Sequence, residues 1–184
     1  AYDLPEQPPL QALLRFNPGG KLVFQGHVLA DLNRIRTGMP EKELQTLAKQ
    51  LHMFGAQSIG VSFQAHANDL RPDYYPAAAQ LLFQLAVRLH EVSGIAPDVC
   101  CLGDGPGMAL RPEFASPSLA DAAAQIRALY EQILVPAGLG AVRLKAVPGL
   151  RIAAPHGLFI TRVRAVKQRP RPLIVTDASA GQFP

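Results

Sequence analysis

The chain is short of cysteine, of charge and of long apolar runs, and each shortage closes off a class of protein. Its two cysteines, Cys100 and Cys101, are adjacent in an apolar stretch. That arrangement excludes a disulfide framework and suits a buried strand in a reducing compartment. No apolar run approaches the length of about 18 residues that a membrane span needs, and the opening AYDLPEQPPL has no basic segment followed by an apolar one. The sequence therefore predicts neither a span nor a signal peptide, and a cytoplasmic setting. Charged residues make up 17%, with 18 Lys+Arg against 14 Asp+Glu for a net charge of +4. They are scattered, so no nucleic-acid surface is expected. His27, His52, His90 and His156 fit no metal spacing. With 184 residues the chain has material for one domain. A complete eightfold βα barrel usually takes about 250.

Proline and glycine are plentiful, at 17 and 15, and short apolar runs alternate between them with longer segments of helical period. Strand candidates are Leu13 to Phe16, a brief Leu22 to Phe24, Ile59 to Phe63, Val99 to Leu102 and Val142 to Val147. Helices are predicted from Pro40 to Gly55, with Leu44, Leu47, Ala48, Leu51 and Phe54 on one stripe, and from about Tyr75 to Val92. A third is expected from an N-cap at Ser118 to Pro136. After Gly149 the pattern changes: Ile152 to Val166 and Leu173 to Val175 read as strands with no room for a helix, which implies entry into an antiparallel region.

Alternating strands and helices imply a parallel sheet, in which ligands sit at the carboxyl ends of the strands. Three ends stand out: Phe63-Gln64-Ala65-His66, Gly103-Asp104-Gly105-Pro106-Gly107 and Val147-Pro148-Gly149-Leu150. The glycine cluster suits either a backbone nest for phosphate or a tight strand exit without a ligand. Its Gly-x-Gly-x-Gly spacing is neither a P-loop nor a dinucleotide fingerprint, and Asp104 within it opposes an anion. His66 is either a general base or a solvated loop residue. Lys145 lies near the end of a buried strand, where desolvation favours Schiff-base chemistry and snorkelling to solvent is the plain alternative. The basic positions Arg162, Arg164, Lys167, Arg169 and Arg171 read as one solvated strand face.

The order of these segments resembles the fold-type III, pyridoxal-phosphate-dependent decarboxylases, the family of the ornithine, diaminopimelate and carboxynorspermidine enzymes. Leu14-Arg15-Phe16-Asn17-Pro18-Gly19, Gly60-Val61-Ser62-Phe63, Leu102-Gly103-Asp104-Gly105-Pro106-Gly107, Pro148-Gly149, Ala154-Pro155-His156-Gly157 through Val163, and Thr176-Asp177 through Phe183 follow the family's motifs in sequence order. The resemblance implies an α/β fold: the second half of a TIM-type (β/α) barrel over residues 1–150, leading over 151–184 into the start of an antiparallel β domain. It implies pyridoxal 5'-phosphate lying across Gln64, Gly103, Asp104, Gly105, Gly107 and Gly149, decarboxylation of a basic or diamino acid, and a homodimer or a complementing chain. Several positions depart from the family pattern. Gln64 stands where a histidine stacks on the ring, Ala67 where a serine holds the phosphate, and Asp104 where the cradle has its central glycine. Val147 stands in place of the glutamate that pairs with the pyridine nitrogen, and Leu150 in place of an arginine, with Arg151 next to it. The Schiff-base lysine belongs to an earlier family strand, and the catalytic cysteine and aspartate to a later segment, so no catalytic residue is assigned among these motifs. The alternative is a catalytically inactive relative acting as a binding or regulatory protein. An unrelated phosphate-binding domain would need a complete parallel sheet within residues 10 to 150.

Overall fold

A computed structural model describes residues 7–66, 68–103 and 105–179. The first strand, β1 (Gln11–Phe16), is followed by a hairpin of β2 (Lys21–Phe24) and β3 (His27–Asp31). Its two-residue turn, Gln25-Gly26, takes positive φ at both positions, 48° and 81°. That conformation matches the right-handed twist of a hairpin. The sequence reading gave only the first of these two strands, because Gln-Gly is not one of the strong turn pairs.

Helix α1 (Glu41–Phe54) buries Leu44, Leu47, Ala48 and Leu51, and Gly55 closes it in the left-handed conformation at φ 103°. Pro40 occupies the N-cap position, and the two first-turn glutamates face the positive end of the helix. Strand β4 (Ser58–Phe63) leads to helix α2 (Tyr74–Ser93), which has an apolar face broad enough to bury eleven of its residues. The Arg88 guanidinium makes a two-pronged pair with Glu41 at 2.8 and 3.0 Å and fastens α2 to α1. Strand β5 (Val99–Cys101), helix α3 (Leu119–Ile133) and strand β6 (Arg143–Lys145) complete the alternation. Ser118 caps α3 by accepting the Asp121 N–H at 3.2 Å.

All four main strands are parallel, in the order β1-β4-β5-β6. Each new strand joins the same edge, so the sheet never reverses direction. A doubly wound fold requires that reversal, whereas a barrel does not. The two sheet faces are unlike. Leu14, Phe16, Ile59, Val61, Phe63 and Cys100 point into the helix layer and belong to one core with Leu82, Leu85 and Leu89. The opposite face carries Leu13, Arg15, Ser62 and Cys101 around a shared pocket.

Two readings are corrected past β5. Strand β6 is exposed along its whole length, so Lys145 is not on a buried strand. It forms the sheet edge, and among the described residues no further strand follows it there. Residues assigned to an extended stretch from Ile152 instead begin with helix α4 (Gly149–Ala153) and a 3-10 turn over Ala154–His156. Extended structure resumes only at β7 (Val163–Lys167), which pairs antiparallel with β8 (Leu173–Thr176). Asp177 accepts from the Thr161 hydroxyl and the Arg162 N–H, both at 2.9 Å, and closes this ribbon. Antiparallel entry is therefore present, with Leu158, Ile160, Val163 and Ile174 exposed on it. No helix among the described residues is long and apolar enough to cross a membrane.

The two adjacent cysteines face opposite sides of the sheet. Burial, followed by the neighbouring Cys101 thiol, pushes Cys100 up to about 12, so it stays protonated at neutral pH. Alkylation of the folded chain should leave Cys100 unmodified, and unfolding in denaturant should release it for labelling. Modification of Cys100 in the native state, read by peptide mass spectrometry, would contradict this packing.

Candidate functional site

The carboxyl ends of β4, β5 and β6 meet at one place. The Val147 N–H donates to the Gly103 carbonyl at 2.7 Å, and the Leu102 N–H donates to Lys145 at 2.8 Å. Gly103 has φ +57°, and a Cβ there would lie 3.0 Å from the Gln64 Cβ and from the Phe63 carbonyl. Gly105 has φ +75°, and its Cβ would press on Pro148 at 3.2 Å. These glycines are thus demanded by backbone packing between strand exits, whatever lies above them. Of the positions singled out in the sequence, Gln64, Gly103, Gly105 and Gly149 are brought together. Asp104 and Ala67 lie outside the described residues.

Gly107 is engaged differently. A Cβ there would stand 2.3 Å from the Asp69 carbonyl oxygen, and its N–H donates to that oxygen at 3.1 Å. The next N–H, of Met108, donates to the Asn68 side-chain oxygen at 2.6 Å. Gly149 donates to Val147 at 2.8 Å. Arg151, the cation nearest the loop in sequence after the missing family arginine, donates to the carbonyls of Pro106 and Gly107 at 3.0 and 2.8 Å and also to that of Pro117. The loop after β5 is therefore tied on one side to the loop after β4 and on the other to α4.

A second layer of contacts holds the β4 loop. Asn68 adopts φ 58°, a conformation that asparagine tolerates better than most residues. Asp69 pairs with Arg71, whose guanidinium also donates to the Leu29 carbonyl of the hairpin and lies 5.7 Å from the Tyr74 ring centroid. Burial raises the Asp69 carboxyl, but the hydrogen bonds from Arg71 outweigh it and leave the group below its ordinary value. Burial likewise pushes the Tyr74 hydroxyl up to about 12, and its oxygen accepts the His66 N–H at 2.8 Å. His66 thus serves through its backbone, with its ring tilted 6.0 Å from Tyr74. Sequence reasoning missed Asn68, Asp69, Arg71 and Tyr74, and placed Arg151 only as the neighbour of Leu150. The only signal available was the polar run after Phe63.

Between these loops is a recess of about 180 Å³ lined by Asn68, Gly105, Pro106, Gly107, Val147, Gly149 and Leu150. On the other side of Val147 a pocket of about 230 Å³ is lined by Leu13, Arg15, Ser62, Phe63, Gln64, Cys101 and Gly103. Among the described residues no group of three or more histidines, cysteines or carboxylates is placed to hold a metal ion.

Compared with known proteins, the chain is 24% identical over 169 residues to a diaminopimelate decarboxylase of Methanothermobacter thermautotrophicus, which covers 92% of this chain and 40% of that protein. The Helicobacter pylori diaminopimelate decarboxylase complexed with L-lysine superposes with a TM-score of 0.68 at 21% identity, over 91% of this chain and 40% of that one. The Selenomonas ruminantium lysine decarboxylase gives 0.64 at 18%, over 92% and 42%. No protein-family model matches the chain. It spans about 40% of the length of the curated relative it matches. Sequence and fold together bear out the resemblance to the fold-type III decarboxylases, and the sheet is the corresponding part of their barrel.

The loop clamp gives two testable outcomes. Gly107→Ala should destabilise the chain by roughly 2–4 kcal/mol, because the opposing atom is rigid backbone; a melting curve like that of the parent would refute the contact. Because the folded Asp69 carboxyl lies below its unfolded value, its contribution is present above that ordinary value near 3.8 and is lost as pH falls through the folded one. Amide exchange at Gly107 and Met108 should therefore accelerate, relative to the core amides of α2, only under acid conditions, and Asp69→Asn should remove that pH dependence.

Proposed function

We propose that the chain forms the second half of the barrel, over residues 1–150, and the barrel exit, over 151–184, of a pyridoxal-phosphate-dependent decarboxylase acting on a basic or diamino acid. What carries this reading is the meeting of Gln64, Gly103 and Gly105 past the ends of β4 and β5, with Gly149 beside Gly105 in one recess, in a sheet with the strand order of a barrel. Relatives that decarboxylate diaminopimelate and lysine share that fold. By the family's habit the chain would act as a homodimer or with a complementing chain, in the cytoplasm.

The recess between the loops suits a phosphate in size, and glycines leave its walls open to close approach. Gly105 and Asn68 would hold that end of the cofactor, and the flat Gln64 amide would lie against its ring. When bound, the cofactor supplies an electron sink for the pair left on the α-carbon by loss of carbon dioxide. This chain's residues give it modest support. Val147 presents no acid to the ring nitrogen, so these strand exits do not hold a proton there.

A second reading rests on a specific observation. The N–H groups of Gly107, Met108 and Gly149 and the guanidinium of Arg151 are all spent on protein acceptors, so the loop keeps its shape without an anion. This favours a catalytically inactive relative acting as a binding or regulatory protein, one that binds without turnover.

Titration of the longest natural form of the chain with pyridoxal phosphate separates the two. The decarboxylase reading expects an aldimine absorbance band, abolished by borohydride, together with release of carbon dioxide from at least one diamino acid. If neither is seen with ornithine, lysine, arginine or diaminopimelate, that reading fails. A melting temperature unmoved by the cofactor would then support the second.

A further inference from the structure

We propose that Arg15 anchors a carboxylate in the pocket on the inner face of the sheet, and that this pocket takes an amino acid by its carboxylate. The proposal deepens the second reading above, binding without turnover. Arg15 lies on β1 one residue before the strand ends, in register with Ser62 of β4, which is in register with Cys101 of β5. The side chains of all three residues line the same pocket of about 230 Å³. Among the described residues lining it there is no carboxylate.

The guanidinium is incompletely satisfied. Its Nη2 donates to the Gln64 carbonyl at 3.3 Å, a long hydrogen bond, and its Nε–H is shielded from water with no acceptor among the described residues. A partly buried cation with an unmet donor stands at a cost that a paired anion removes. The residue that the resemblance would make acidic at this pocket is Val147, so none of the described residues lining it supplies such a partner. The stem of Arg15 is also held in place. Gly38 lies against it at φ +92°, where a Cβ would be 3.2 Å from the Arg15 Cγ and 2.9 Å from the Arg15 carbonyl oxygen. The Met39 N–H donates to that same oxygen at 2.9 Å. A planar fork fixed in this way matches a carboxylate better than a point charge does. The remaining space, bounded by Leu13, Cys101 and Val147, suits an aliphatic carbon chain.

The same geometry sets the sign of the effect on chemistry. A guanidinium paired with the carboxylate that must depart stabilises the ground state and raises the barrier to its loss. An anchor here favours retention of the amino acid intact.

The test is equilibrium binding to the longest natural form of the chain, without added cofactor. L-lysine is compared with cadaverine, the same molecule without its carboxylate, and inorganic phosphate is the competitor. L-lysine should bind at least about tenfold more tightly than cadaverine. Arg15→Gln should abolish that preference, and Arg15→Lys should keep part of it, with circular dichroism melts showing that both variants fold. Equal binding of the two probes, no binding of L-lysine at millimolar concentration, or an undiminished preference in folded Arg15→Gln would each overturn the assignment. Displacement of L-lysine by phosphate as readily as by acetate would also overturn it, because the site would then be a general anion patch. Carbon dioxide released from labelled lysine in a parallel assay would sink the second reading, while the lysine-to-cadaverine ratio would still decide the role of Arg15.

Discussion

Everything at the strand ends depends on one close approach, that of the loop after β5 to the loop after β4. At Gly107 the backbones come so near that a methyl group would meet the Asp69 carbonyl at 2.3 Å. Gly103 and Gly105 repeat the constraint against Gln64 and Pro148. Because the four strands are parallel and each joins the same edge, their ends lie at one level. The loops leaving them therefore compete for the same small volume. Glycine resolves that competition, and the hydrogen bonds of Asn68, Asp69 and Arg151 then fix the outcome.

The sheet's two faces divide the labour. The helix-side face is a dry core, with Val61, Phe63 and Cys100 almost wholly buried among α1, α2 and α3. The other face is sparsely filled and partly polar, with Arg15 and Ser62 in one row. In a closed barrel that second face lines the interior, and its upper rim is where ligands are held. The described departures that the resemblance singles out, Gln64, Val147 and Leu150, line pockets at that rim, while the core face has an ordinary aliphatic packing.

Long periodic segments were legible from sequence. The stripe Leu44, Leu47, Ala48 and Leu51 gave α1, and Ser118 with Asp121 gave the start of α3, because burial and capping are local demands. The hairpin partner β3 was not legible, since its turn is Gln25-Gly26. Nor was α4, where Pro148-Gly149 reads as a breaker and five residues are too few to show a period. The strand that carries Lys145 reads as buried because its neighbours are apolar; burial depends on what lies across the sheet edge, and sequence does not carry that. At the site, the glycines were found by the rule that ligands gather at strand ends. Asn68 and the loop partners of Arg151 were not, because those contacts span 40 and 45 residues of the chain, a separation that no local pattern encodes.

The glycine loop also bears on how such proteins change over generations. Its residues are held by steric necessity at the crossing of two loops, so a lineage that ceased to use the cofactor would still lose stability by replacing them. The positions that the resemblance assigns to the ring carry no such penalty: Gln64 in place of a histidine and Val147 in place of a glutamate leave the crossing intact. Decay of an active site built this way is uneven. The glycine signature outlasts the acids and bases that gave it purpose, like a socket that keeps its form after the tool is gone.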